Sequence, residues 1–213
     1  DSSSQATVGT TYCQIFAVDE IDLDRLDAAW GKVQKRHGMM RASVEEDGTQ
    51  SIAPSSKIGH IERAECANSS EAKQQLEEIK RTVFALAKPP LHRVVSISWH
   101  EESGKQTRLV FCFDYTVLDA LSVMTVLAEL AELYENPGAD LPGIGLTFRD
   151  FVVGHRRDGR EVEEAEGYWR SRLPELPPAP QLPLAADPST VGEGRFERLW
   201  RTVAEPEWSA VKE

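Results

Sequence analysis

Only three cysteines, Cys13, Cys66 and Cys112, are spread over the 213 residues. That is too few, and too scattered, for a disulfide framework or a zinc site. Cys13 and Cys112 sit in apolar, strand-like runs and read as small buried hydrophobes. Such thiol usage fits a reducing cytoplasm. Basic charge is scarce as well: 24 Lys and Arg against 35 Asp and Glu leave a net charge of −11. A nucleic-acid footprint would be basic, so no nucleic-acid partner is expected. No apolar run is long enough to span a membrane, and the opening Asp1-Ser-Ser-Ser lacks the charged-then-apolar pattern of a secretory signal. There is no Gly-x-Ser-x-Gly elbow for a serine hydrolase. Gly143-Ile-Gly145 lacks the strand, spacing and helix of a phosphate loop. The five histidines, His37, His60, His92, His100 and His155, show no metal-ligand spacing. No internal repeat is visible.

What is present is a mixture of strand and helix patterns. Thr11 to Val18 reads as a strand, and Asp22 opens a helix with Leu23, Leu26, Trp30 and Val33 on one stripe. Met40 to Ala53 reads as a hairpin turning at Asp47-Gly48. Asn68, with Glu71 three residues on, starts a helix whose apolar face is Leu76, Ile79 and Val83 and which Pro89-Pro90 ends. Leu91 to His100 and Leu109 to Phe113 read as strands joined by a turn containing Gly104. A helix after Asp119 carries Leu121, Met124, Leu127, Leu130 and Tyr134 at helical spacing, and Asn136-Pro137-Gly138 stops it. Thr147 and Asp150 can cap a short helix with Phe148, Phe151 and Val152. Glu163 to Leu173 forms another, with Tyr168 and Trp169 on its inner side.

Pro174 to Pro188 holds six of the twelve prolines and reads as a stiff connector. Phe196 to Val203 reads as a strand, and Glu205 or Pro206 begins a final helix. The order β-α-β-β-α-β-β-α implies an α/β or α+β layer protein, a sheet with helices packed on it. The ends read as unfinished, so the expectation is one half of a larger domain.

The most informative stretch is Asp114-Tyr-Thr-Val-Leu-Asp119-Ala-Leu-Ser122. It joins an apolar run, read as a strand buried on both faces, to the long helix. A carboxylate at the end of a buried strand is costly unless it is paired, hydrogen-bonded or used. Asp119 is well placed as an N-cap, where first-turn amides and the helix dipole favour a negative charge. It could also hold an arginine across the fold, with Arg41 and Arg149 as candidates. Asp114 has no obvious capping position, which makes it the stronger functional candidate. Ser122, alone, reads as a capping or surface residue. Trp30, Trp99 and Trp169 lie on apolar stripes and read as core. His37, after Lys35-Arg36 at a helix end, reads as structural.

These residues, in this order, resemble the heterocyclization domains of nonribosomal peptide synthetases, relatives of condensation domains and of chloramphenicol acetyltransferase. The hallmark Asp-x-x-x-x-Asp-x-x-Ser is matched in full by Asp114, Asp119 and Ser122. The flanks also resemble the family: Leu26-Asp-Ala-Ala-Trp30, Arg36-His37-Gly-Met-Met-Arg41, Asp47-Gly48-Thr-Gln50, Thr147-Phe148-Arg149-Asp150-Phe151, Tyr168-Trp169 and the proline-rich run from Leu176 to Pro183. Ordinary condensation domains carry His-His-x-x-x-Asp-Gly at this place. Here Asp114 and Tyr115 stand for the two histidines and Ala120 for the glycine. No imidazole is available there to handle protons near neutral pH.

The resemblance implies a chloramphenicol acetyltransferase-like lobe, a mixed sheet with helices packed on it. Residues 1–173 would be the N-terminal lobe, 174–192 a connector, and 193–213 the start of the crossover to a C-terminal lobe. It implies catalytic roles for Asp114, Asp119 and Ser122, substrate contact for Tyr115, and support of the site by Arg41 and Arg149, with no metal. No cofactor would bind directly; substrates would arrive on the phosphopantetheine arms of upstream and downstream carrier proteins. The other implied partners are an adenylation domain and the C-terminal lobe of the same synthetase. Two rival readings follow from the same residues: amide formation without ring closure, which should need a histidine base, and a truncated lobe that only docks carrier proteins.

Overall fold

The computed structural model describes residues 10–154, 159–178, 180–181, 183–187, 190 and 201–212. The chain divides into a larger unit, Gly9–Pro177, and a smaller unit whose described residues lie between 178 and 212.

The larger unit is built on a four-stranded sheet. Its strands are β1 (Thr11–Val18), β4 (Glu62–Glu65), β5 (His92–Glu101) and β6 (Gly104–Asp114), in the order β1-β6-β5-β4. β6 is antiparallel to both neighbours, and β4 runs parallel to β5. The β5–β6 hairpin turns at Gly104, whose φ of 113° is a conformation side chains disfavour. A separate hairpin pairs β2 (Ala42–Val44) with β3 (Gln50–Ile52), turning at Gly48 with φ 82°. That is the Asp47-Gly48 turn expected.

Both faces of the sheet are covered, because β5 and β6 are apolar on both. Leu109, Phe111 and Phe113 face one cluster, together with Val94 and Leu91. Val110 and Cys112 face the other, with Val95, Ile97 and Trp99. The first face is closed by α1 (Leu23–Arg36) and α3 (Ala120–Glu135), the second by α2 (Ser69–Ile79).

Helix α1 starts where Asp22 accepts from the amides of Asp24 and Arg25, both at 3.0 Å. It buries Leu26, Ala29, Trp30 and Val33, spaced as one helical stripe. Trp30 meets His92 and Phe111 edge-on, at centroid distances of 5.1 and 5.8 Å. Gln34, fully buried on the same helix, has both ends of its amide paired. It donates to Gly59 O at 2.8 Å and accepts from Gly59 N at 2.7 Å, pinning the chain that leads into β4. Helix α2 begins as predicted: Asn68 accepts from Ser70 and Glu71 amides, and Glu71 reaches back to the amide of Ala67.

Four expectations need correcting. β4 was not anticipated. Its Glu-Arg-Ala-Glu sequence has little β-propensity, and the strand is held by its ladder to β5 and by a bidentate pair from Arg93 to Glu62, 2.7 Å at each oxygen. Helix α2 ends at Ile79, well before Pro89-Pro90: Thr82 turns its amide and hydroxyl onto Ile79 O at 3.0 and 2.7 Å, and Val83 is 59% exposed. In α3 the buried stripe is Val123, Val126, Leu130 and Leu133, while Leu121 and Met124 are 76% and 67% exposed. The helix is apolar on two faces, so periodicity could not choose between them. Tyr168 and Trp169 lie on α5 (Gly159–Arg172), which runs longer than expected, and both are about half exposed rather than inner.

Between α3 and α5 lies α4 (Phe148–Gly154), where Thr147 Oγ1 and the Asp150 carboxylate bond reciprocally to each other's amide. In the smaller unit, α6 (Glu205–Lys212) forms the final helix. Residues 196–200 of the expected strand lie outside the described residues, and Arg201–Val203 carry no strand. Among the described residues, no helix is long and apolar enough to cross a membrane.

Candidate active site

The loop between β6 and α3 runs from Asp114 to Asp119, with a carboxylate at each end tied to backbone. Asp114 ends β6 and is 2% exposed. Its Oδ1 accepts from Thr116 N at 2.8 Å and from Thr10 Oγ1 at 2.9 Å. The first bond closes an Asx turn over Tyr115; the second ties the loop to the chain entering β1. Its own amide donates to Leu91 O at 2.9 Å, and its carbonyl accepts from Val117 N at 3.2 Å. A local job therefore does exist for Asp114, contrary to the expectation that no capping position was available. The burial cost of the carboxylate is offset by these donors.

Asp119 is the N-cap of α3, as predicted, and is exposed. Its Oδ1 accepts from Ser122 N at 2.8 Å. The Ser122 hydroxyl, and next its amide, hold the Asp119 carboxyl below the ordinary aspartate range. Ser122 thus supplies both donors to the cap. Neither candidate arginine clasps Asp119. Arg41 donates instead to Ala53 O at 3.0 Å, to Lys35 O at 3.0 Å and to Gln34 O, fastening the β2–β3 hairpin to the end of α1. Arg149 is exposed on α4, with Asp150 as its electrostatic neighbour. The pattern of charges made those pairings plausible, but carbonyls at a helix C-terminus are an equally good sink for a guanidinium.

Between its two anchored ends the loop is amphipathic. Val117 and Leu118 turn into the core, while Tyr115 stays 43% exposed. The Tyr115 ring stacks on Tyr12 of β1, with centroids 5.6 Å apart and planes 15° apart. Both rings open onto a cavity of about 750 Å³ between α3 and the β1–β6 face. Gln14, Phe111, Ala120 and Met124 also line it. This is the second apolar face of α3. Its polar groups are tyrosine hydroxyls and the Gln14 amide, with Tyr12 Oη donating to Gln14 Oε1. No histidine, carboxylate or lysine lines it among the described residues.

Asp114, Asp119 and Ser122 are therefore brought together in one loop and do not themselves line the cavity. They present Tyr115 and Ala120 to it. Tyr12 and Gln14 were missed by sequence reasoning. Their signal is the alternation of polar-tipped Tyr12 and Gln14 with Cys13 and Ile15 on β1, which marks a face that is neither core nor plain surface.

The condensation-domain family model matches residues 9–210. The chain belongs to the condensation-domain family. Within that family it is 30% identical over 217 residues to pyochelin synthetase PchF of Pseudomonas aeruginosa, covering 95% of this chain and 12% of that protein. It is 31% identical over 203 residues to phenyloxazoline synthase MbtB of Mycolicibacterium paratuberculosis, covering 87% and 16%. Among solved structures it is similar to the EpoB cyclization-docking bidomain of a nonribosomal peptide synthetase from Sorangium cellulosum, with a TM-score of 0.81, 31% identity, and coverage of 96% of this chain and 42% of that one. The chain thus spans a small fraction, 12% and 16%, of these two curated relatives. The mixed sheet with helices packed on it is the chloramphenicol acetyltransferase-like arrangement of the condensation relatives.

Proposed function

We propose that this chain is the N-terminal lobe of a heterocyclization domain in a nonribosomal peptide synthetase. Residues 1–173 form the lobe, 174–192 the connector and 193–213 the start of the crossover to a C-terminal lobe. The observation that carries the reading is the fully matched Asp-x-x-x-x-Asp-x-x-Ser loop, anchored at both ends, with Tyr115 at the cavity mouth. Support comes from similarity to a pyochelin synthetase, a phenyloxazoline synthase and a cyclization-docking bidomain.

The reaction has two stages. An upstream carrier protein delivers an acyl thioester, and a downstream carrier delivers cysteine, serine or threonine. The amine attacks the thioester carbonyl, the C–S bond breaks, and the pantetheine sulfur leaves as a thiol while the amine loses a proton. The side-chain thiol or hydroxyl then attacks the new amide carbonyl, and water departs to give a thiazoline or oxazoline. Orienting both carrier-bound reactants can supply roughly 7–11 kcal/mol of the barrier reduction. Asp114, Asp119 and Ser122 act by holding the loop, and Tyr115 contacts substrate. Arg41 serves the scaffold by fastening the β2–β3 hairpin to the end of α1. Proton transfers in ring closure fall to groups beyond this cavity wall, including those of the C-terminal lobe. The setting is the cytoplasm, with an adenylation domain in the same synthetase.

Reconstitution of the complete synthetase module with a cysteine-loaded carrier tests this. The expected product is the heterocycle, lighter by one water than the linear amide. Linear amide alone, from a module whose carriers are fully loaded, would support amide formation without ring closure and overturn the proposal.

A further inference from the structure

Cys13 and Cys112 are Cα partners across β1 and β6. Neighbouring hydrogen bonds establish which kind of pair they form. Tyr115 N donates to Thr10 O at 3.1 Å, so the pair just beyond the ladder is hydrogen-bonded. Pair types alternate along an antiparallel ladder. Counting back through Thr11/Asp114 and Tyr12/Phe113, Cys13/Cys112 is a non-hydrogen-bonded pair. The other side of β6 agrees. Asp114 N points to Leu91 O, towards β5, so Cys112, two residues earlier, also directs its backbone groups to β5. A non-hydrogen-bonded pair sets its Cα atoms about 4.5 Å apart with the side chains close together. Disulfides span Cα separations of about 4.4–6.8 Å.

The two side chains are cross-strand neighbours on the sheet face opposite the cavity, where Cys112 Sγ also donates to Ile79 O at 3.8 Å. Cys112 is fully buried and Cys13 is partly exposed. Lys80 lies near Cys13, and Arg93 is the β5 partner of Cys112. The hydrogen bond from Cys112, with help from Lys80, holds Cys13 below the ordinary thiol range against the effect of burial. The same bond, and burial, push Cys112 up. Cys13 is thus the attacking thiol, and Cys112, its cross-strand partner, is the thiol within reach to resolve. Cys66 has neither feature: it is buried, donates to Gln75 Oε1 at 3.0 Å, and burial pushes its thiol up.

We propose that Cys13 and Cys112 form a reversible dithiol–disulfide site that reacts with low-molecular-weight disulfides of the glutathione type. The Cys13 thiolate attacks one sulfur of the reagent, its S–S bond breaks, and one thiolate leaves and takes up the Cys13 proton. The Cys112 sulfur then attacks Cys13 Sγ in the mixed disulfide, releasing the second thiol with the Cys112 proton. The pair loses two electrons and the reagent gains them. The product ties the edge strand β1 to β6 behind Tyr12, Gln14 and Phe111, which line the cavity from the other face of the same two strands.

The test treats the native chain with excess oxidised glutathione. Two of the three thiols are expected to disappear, with no glutathione retained, and peptide mapping should recover a Cys13–Cys112 link that dithiothreitol reverses. Cys112→Ser should retain one glutathione on Cys13, and Cys13→Ser should leave Cys112 unreacted. Amide exchange in β1 should slow on oxidation. Far-UV circular dichroism checks that the variants fold; if one does not, the peptide map of the native chain decides. A native chain that keeps three free thiols, holds glutathione at Cys13, or links only between molecules overturns the proposal.

Discussion

Ser122 gives Asp119 two donors: its amide donates to Asp119 Oδ1 at 2.8 Å, and its hydroxyl helps keep that carboxyl ionised. The Asp-x-x-Ser half of the motif is thus the first turn of α3. The other half ends in an Asx turn on the buried Asp114. Two carboxylates that resemble catalytic acids in sequence are, in the fold, the two clamps of one loop. Neither lines the cavity; Tyr115 and Ala120, next to them in the chain, do.

Replacing Asp119 separates the clamp from the charge. Asp119→Ala should lower the denaturation midpoint, as other cap removals do. Asp119→Asn keeps the cap and should fold almost as well. If the loop is what matters, Asp119→Asn retains most heterocycle formation in the complete module while Asp119→Ala loses it. Denaturant unfolding beside a product assay reads both.

Asp114→Ala leaves the amide of Thr116 and the hydroxyl of Thr10 without their acceptor. Thr10 and Thr116 are exposed, so water can take the place of the acceptor, and the two lost bonds are worth about 0.5–1.5 kcal/mol each. The expected result is a lower denaturation midpoint and faster amide exchange across residues 115–118. Unchanged exchange there would remove the clamp from the account.

Met124 is 67% exposed yet lines the cavity. Met124→Lys should leave stability within about 0.5 kcal/mol, since it is a surface change. It should depress product formation strongly, by placing a charge on an apolar wall. A module carrying it that turns over normally would show that the cavity is not part of the substrate path.

His92 is 4% exposed, and burial pulls its pKa from 6.5 to about 4. In the unfolded chain the imidazole takes up a proton near pH 6.5; in the folded chain it does so only near pH 4. The unfolded state therefore binds more protons between those values, and stability falls as pH drops from 6.5 to 4. At about 1.36 kcal/mol per pKa unit the loss from this group approaches roughly 3 kcal/mol, complete below pH 4. His92→Phe, which can keep the edge contact with Trp30, should flatten that part of the stability profile.

Local chemistry was legible wherever a short stretch decides its own structure. Asp22, Asn68 and Asp119 cap helices because a side-chain oxygen two or three residues before a free amide can do little else. The Asp47-Gly48 turn and the twin-faced burial of β6 were equally readable. The motif loop and its resemblance came from the same kind of information.

The tertiary structure alone decided which way things face. Nothing local makes Glu62–Glu65 a strand; the edge of β5 does. Nothing in the period of α3 selects Val123 and Val126 over Leu121 and Met124, because both sets repeat at helical spacing and only the position of the sheet buries one of them. Arg41 had several acceptors in principle, and packing brought it to the end of α1 rather than to Asp119. Sequence specifies the groups and their short-range partners through covalent spacing. Which apolar face becomes core and which becomes cavity wall depends on contacts among residues far apart in the chain, and those exist only once the sheet has assembled.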